Sequence, residues 1–299
     1  MVRKLTIALA IAFLTFVLLQ SPRPVQSQTV EPVLSFVLLA QNDVQQMAAV
    51  KTYVSQSEGR ITHSFQGQAF VAKLPVTLIP DLKGRAEVAA VFTEAVSPAS
   101  LANYGTEVGR WAAVWNSLVA PPAPNPDDLA KLEAHSLEEQ EHAFVAPDLP
   151  PIDTLNLAEG SAITPGYYQT SEYMAGTVAV GIVLVESNGV GDPSTENWTE
   201  EEKQTTFNEI VAGLNWWAEL EPRANLSFVY DDHFSNPLPT SVEPISRSYF
   251  DQKYWIADAL NGLGHYASSY FTQVRDYNNA IRNTYQTDWA FTIFVVDSA

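Results

Sequence analysis

The 299-residue sequence predicts two α/β units in series, a β-α-β-β-α-β module and a second unit in which buried strands alternate with helices. Three observations carry that prediction. Apolar runs recur at Leu34–Ala40, Gly176–Ser187 and Trp289–Val296, and a run without polar alternation suits a strand covered on both faces. Between them lie stretches with apolar residues at three- and four-residue spacing, as amphipathic helices require. A Pro- and acid-rich segment, 121–172, separates the two units and reads as a linker holding a polar helix.

Residues 1–27 read as a secretory signal. Arg3 and Lys4 precede an apolar run, Leu5–Leu19, and Val25 and Ser27 supply small residues before a cut at Gln28. The run is short for a membrane span, and no other stretch approaches membrane length. An uncleaved anchor is the other reading of the same residues. The expected location is extracellular, with no membrane contact beyond the signal.

In 28–120 the first strand is Leu34–Ala40. Asp43 stands as N-cap of a helix whose Val44, Met47, Val50 and Val54 share a face, with Gly59 at its end. Arg60–Pro75 reads as two short strands meeting near Gln66-Gly67. A weaker helix entered near Pro80 and a strand over Ala89–Val96 complete a ferredoxin-like order. A trailing helix carries Trp111, Val114, Trp115 and Leu118, suited to packing on a neighbouring domain.

In 173–299, strand Gly176–Ser187 leads through a polar loop to the clearest helix of the chain. Thr199 and Glu202 make a capping box, Phe207, Ile210, Val211, Leu214 and Trp217 form its apolar stripe, and Pro222 forbids extension. Ala224–Phe234 is a strand, two helices parted near Gly262–Gly264 come next, and Trp289–Val296 is the last strand. Right-handed crossovers turn this succession into a three-stranded half-sheet. The final strand needs flanking backbone on either side, which predicts further chain beyond Ala299.

The balance of 34 acidic to 16 basic side chains gives a net charge of −18; residues 1–27 hold Arg3, Lys4 and Arg23 and no acid, so the remainder carries −21. Such a surface disfavours nucleic acid and anionic membranes as partners. It suits solubility, and equally divalent cations, without locating a site. The absence of cysteine excludes thiol nucleophiles and Cys-ligated metals, and leaves the core without disulfide support.

Three clusters merit weighing. His135 and His142, with Glu138 and Glu139 between, are seven residues apart, about 10.5 Å along a helix, too far for one tetrahedral ion; a solvated polar helix accounts for them. Asp231, Asp232 and His233 end a strand, where open α/β sheets place sites, but adjacent strand residues point to opposite faces, so at most two can share a ligand; strand-end solvation accounts for them, and metal binding is the other reading. Glu186, Asn188, Asp192, Ser194, Glu196 and Asn197 crowd a loop whose spacing departs from an EF-hand; a loose Ca²⁺ loop and an N-cap network both explain them. Asn197 and Asn225 begin glycosylation sequons, relevant in a eukaryotic secretory pathway. His63, His233 and His265 have no motif partner and read as surface or satisfied core residues. There is no H-E-x-x-H, G-x-S-x-G or P-loop motif.

These segments carry two resemblances. "FVLLA", "VQQMAAVKTYVSQSEGRITHSF", "FQGQAFVAKL" and "AAVFTEAV" resemble the inhibitor-like prodomains of subtilisin-type proteases. "SEYMAGTVAVGIVLVESNG", "DPSTENWTEEE", "EIVAGLNWWAELEPRANLSFVYD" and "YFTQVRDYNNAIRNTYQTDWAFTIFVVDS" resemble the N-terminal half of a secreted zincin-type metallopeptidase domain. In that family the same succession precedes a meander and a helix bearing H-E-x-x-H, and a zinc-bound water activated by the motif Glu attacks a peptide carbonyl. The resemblance therefore implies a peptide or protein substrate, and zinc, only for a complete protein. It assigns no catalytic, cofactor-binding or metal-binding residue here. The expectation is an exported zinc metallopeptidase precursor or truncated form, inactive as given. The alternatives are a non-catalytic extracellular protein-binding module, its half-sheet completed by a partner chain, and an acidic Ca²⁺-dependent surface protein. Oligomeric state is not legible.

Overall fold

The first strand, β1 (Val33–Leu39), alternates its side chains between two cores: Phe36 and Leu38 enter one, Val37 and Leu39 the other. A computed structural model describes residues 31–121 and 166–297 of the chain, and those from Pro32 onward group into one compact unit. The candidate signal segment and the His135–His142 stretch lie outside the described residues.

Helix α1 (Val44–Gln56) begins where Asp43 Oδ1 accepts from the backbone N–H groups of Gln45 and Gln46, at 2.8 and 3.0 Å. Those two donors have no partner inside the helix, so the cap defines its start. Met47, Val50 and Val54 are buried as the spacing predicts, whereas Val44 is 72% exposed: the first turn overhangs the sheet. Strands β2 (Arg60–Phe65) and β3 (Ala69–Leu74) form a hairpin. Its three-residue turn, Gln66 to Gln68, puts Gln66 and Gly67 at positive φ, and the Gln68 N–H donates to the Phe65 carbonyl at 3.2 Å. Helix α2 (Leu78–Lys83) and β4 (Val88–Phe92) come next, giving the antiparallel order β4-β1-β3-β2.

Helix α3 (Thr106–Val119) crosses the face opposite α1. Trp111 and Trp115 are almost fully buried there, stacked on Phe65 and Phe36 with ring centroids 5.8 and 6.1 Å apart.

The second segment is parallel throughout. Strand β5 (Thr177–Ser187) leads to α4 (Glu200–Leu220), whose capping box pairs Thr199 with Glu202. Strand β6 (Ser227–Asp232), the short β7 (Leu238–Thr240), α5 (Gln252–Gly262), α6 (Tyr270–Tyr285) and β8 (Trp289–Val296) complete it. Strands β6, β7 and β8 all pair with β5 in parallel. Val185 pairs with both Leu238 and Val296, so β7 and β8 lie on opposite edges of β5.

The segments predicted as separate modules share one sheet. Strand β2 runs parallel to β6, with His63, Ser64 and Phe65 opposite Phe228, Val229 and Tyr230. The result is a mixed α/β architecture built on an eight-stranded sheet. Helices α3 and α4 bury a continuous core on one face, reaching from Phe36 across Phe65, Phe207 and Tyr230 to Trp289. The other face holds two separate cores, one under α1 and α2 and one under α5 and α6.

Strand β8 sends Phe291, Ile293 and Val295 toward the continuous core and Phe294 and Val296 toward the α5–α6 core, so both faces are covered as its composition predicts. Its position differs from that of an interior strand. Among the described residues it pairs with β5 alone, and only Trp289 and Ala290 are fully buried. The open outer edge leaves the remaining side chains half-exposed.

Candidate functional site

A cleft of about 1210 Å³ runs along the seam between β2 and β6 on the face where the two smaller cores part. Its floor is set by strand alternation. His63 and Phe65 point into the α3–α4 core with Phe228 and Tyr230, so the intervening Ser64 and Val229 point the other way. One wall is α1, presenting Met47, Lys51 and Ser55; the other is the end of α6, with Thr284, Tyr285 and then Asp288.

At the carboxyl end of β6 a carboxylate is held by two phenols. Tyr277 donates to Asp231 Oδ2 at 2.6 Å and Tyr285 donates to Oδ1 at 2.7 Å. His233 Nε2 lies 3.3 Å from Oδ2 and 3.2 Å from the Tyr277 hydroxyl. Burial raises the Asp231 pKa, but the bonds from His233, Tyr277 and Tyr285 outweigh it and the carboxyl sits below its ordinary value. Burial first, then the Asp231 charge, raises the Tyr277 hydroxyl; burial, then its hydrogen bond to Asp231, raises Tyr285. Both phenols therefore remain donors.

The backbone explains how Tyr277 reaches this position. Gly181 of β5 is the register partner of Asp231, and a Cβ there would sit 2.7 Å from Tyr277 Cε1. A strand glycine marks close approach of another group; here that group is the tyrosine ring.

Asp232 faces away from Asp231. Burial is the main cause lifting its carboxyl to about 6, with the Glu107 charge adding and Arg110 opposing. Gln66 Nε2 donates to its Oδ2 at 3.3 Å. The strand-end triplet thus divides as the period-two rule requires: Asp231 and His233 together, Asp232 apart.

The cationic side of the cleft is unpaired. Lys51 and Arg60 line it, and neither forms an ion pair with any described residue. Arg60 Nε and Nη2 and Ser64 Oγ are buried without a hydrogen-bond partner. Burial lowers the Lys51 pKa.

The other sequence candidates have structural explanations. Asp192 is held by Arg247 at 2.6 and 2.7 Å and by the Glu243 backbone N–H at 3.0 Å, contacts that keep its carboxyl below the ordinary range. Glu243 in turn accepts from the Thr195 N–H. That loop is closed by its own contacts. His63 is fully buried, with Nδ1 2.8 Å from the Tyr230 hydroxyl and Nε2 3.2 Å from Asn215 Oδ1. One neutral tautomer satisfies both, and burial lowers its pKa to about 4. His265 stands with its ring 5.4 Å from that of Tyr277. Asn197 and Asn225 are both exposed. Among the described residues no group of three or more His, Asp or Glu side chains converges as a metal site.

Sequence reasoning weighed Asp231 and His233 as strand-end residues without assigning them a role, and it missed Tyr277, Tyr285, Lys51, Arg60 and Ser64. The tyrosines had a signal: eight residues apart on one helix, they share a face, and Gly181 interrupts an otherwise bulky strand. The other three had none, because their placement depends on which strand meets β2. No family model, curated protein or solved structure matches this chain.

Proposed function

We propose that this chain is an exported precursor form of a zincin-type metallopeptidase, comprising an N-terminal prodomain-like module and the first half of the catalytic sheet. The single observation that carries this reading is the succession β5-α4-β6-β7-α5-α6-β8, in which β6, β7 and β8 each run parallel to β5, and β8 is an apolar strand whose outer edge is open among the described residues. That edge is where the meander of a complete domain would add. The order β4-β1-β3-β2, with α1 and α2 packed on one face, supports the ferredoxin-like reading of the N-terminal module. Its strand β2 extends the sheet at β6, a geometry suited to a module that templates the folding of the C-terminal strands.

The described residues do not fit a catalytic zinc. Asp231 and His233 supply two donors on one face, and both are engaged by Tyr277 and by each other. A tetrahedral catalytic site needs three protein ligands and an open position. In this reading the residues that hydrolyse peptides are not among those described. Sequencing the gene beyond codon 299 is the direct test, and an H-E-x-x-H codon pattern is the expected result. The purified chain should hold no stoichiometric zinc and cleave no casein. A stop codon directly after Ala299, or one zinc per chain, overturns the reading.

The open β8 edge also supports the second reading, a non-catalytic extracellular binding module completed by a partner strand. Exposed aromatics flanking α5, Tyr249, Phe250 and Tyr266, are the kind of side chain partner surfaces use. The gene sequence separates the two: a stop codon favours the binding module.

A further inference from the structure

The cleft over the β2–β6 seam is polar, charged and asymmetric. At one end Arg60 carries two buried guanidinium nitrogens without partners; Lys51 stands on the α1 wall with no counter-ion among the described residues. Unpaired cations are unexpected in a chain with twice as many acids as bases, since an acidic surface offers many partners. At the other end is the carboxylate of Asp231. Between them on the floor, Ser64 is only 3% exposed and its hydroxyl has no hydrogen-bond partner. A buried unsatisfied hydroxyl is destabilising, and a bound polar ligand would relieve it.

We propose that this cleft binds a short peptide in extended form, its terminal carboxylate at Arg60 and Lys51 and its amino end toward Asp231. Charge complementarity selects the occupant: at the Arg60 end Asp288 is already bonded to the Thr177 backbone N–H and hydroxyl, which leaves the two cations unmatched, and with the Asp231 carboxylate at the other end they match a zwitterion laid along the seam. Length selects a peptide over an amino acid. Arg60 to Gln66 spans roughly 20 Å of strand at about 3.3 Å per residue, the reach of about six extended residues. Guanidinium suits carboxylate because its planar fork donates two parallel hydrogen bonds. Ser64 would meet the peptide backbone midway, accepting from an N–H or donating to a carbonyl. The assignment does not rest on the peptidase reading, because it requires neither zinc nor hydrolysis.

Calorimetry on the full chain with an uncharged-side-chain hexapeptide tests it. The free peptide should bind measurably. C-terminal amidation and Arg60→Met should each weaken binding about tenfold or more, and amidation should cost Arg60→Met little further. N-acetylation should weaken binding as well, and Lys51→Met should do so to a lesser degree. Ser64→Ala, which removes the floor hydroxyl without touching either charge, should weaken free and amidated peptides equally. Circular dichroism controls for folding, and neither Arg60 nor Lys51 has an ion-pair partner to lose among the described residues. Equal binding of free and amidated peptides overturns the proposal. So does the absence of binding at millimolar peptide, including the case in which another segment of the chain already fills the cleft. A small carboxylic acid binding as tightly as the hexapeptide also overturns it, by removing the need for length.

Discussion

The two faces of the β2–β6 seam are made by the same six paired residues and could hardly differ more. On one face His63, Phe65, Phe228 and Tyr230 stack beneath Trp111 and Phe207, with ring centroids between 5.5 and 6.1 Å. On the other Ser64 and Val229 floor an open cleft. Period-two alternation sorts the residues, and helix placement then decides their fates. Helices α3 and α4 close over the aromatic side, whereas α1 and α6 stand apart on the polar side. The lesson is that the seam is held together from one face only, which leaves the other free to bind.

The largest effect should come from the closed face. Trp111→Ala removes the ring stacked on Phe65 and should cost about 3–5 kcal/mol by urea unfolding. If it costs under about 1 kcal/mol, the aromatic face does not hold the seam. His63→Leu should cost about 2–3 kcal/mol, because the Tyr230 hydroxyl and Asn215 lose a buried partner. It should also change the pH dependence. The native His63 pKa of about 4 lies below the ordinary value of 6.5, so its neutral form is favoured by folding. That contribution, roughly 3 kcal/mol, is fully present above about pH 6.5 and is lost as pH falls toward about 4. His63→Leu should flatten this slope in unfolding curves taken between about pH 4 and 7.

Smaller effects lie on the open face. Gly181→Ala places a methyl group against the Tyr277 ring and should cost about 1–3 kcal/mol while loosening the Asp231 cluster. Ultraviolet titration of the tyrosines should then show at least one ionising closer to its ordinary value. Asp232→Asn should stabilise the chain by about 1 kcal/mol at about pH 7.5, a figure discounted for the side chain's partial exposure. Its native pKa of about 6 lies above 3.8, so its own contribution to stability falls as pH rises from about 4 to 6, opposing that of His63, and the amide should abolish that fall. A destabilised Asp232→Asn would mean that this charge has a partner in solution.

Much of the fold was legible because its signals are local. Asp43 and the Thr199–Glu202 pair name their own helix starts, since capping needs only neighbours in sequence. Gln66-Gly67 names its turn, and the apolar runs of β1, β5 and β8 name strands coated on both faces. The candidate site was half legible. Alternation alone separated Asp232 from Asp231 and His233, but it could not supply Tyr277 and Tyr285, which arrive from 46 and 54 residues away.

The sequence by itself determined the elements, their caps, the sorting of side chains to one face or the other, and the acidic charge. Only the tertiary structure decided that β2 pairs with β6 although more than a hundred residues of chain separate them, that β8 lies at an edge among the described residues, and that Lys51, Arg60 and Ser64 share a cleft with Asp231. The physical reason is range. Capping, turns and alternation are set within a few residues, whereas strand pairing joins backbones whose hydrogen-bonding groups are chemically alike everywhere. Which two edges meet is settled by how the whole core packs, and the binding face is what that packing leaves uncovered.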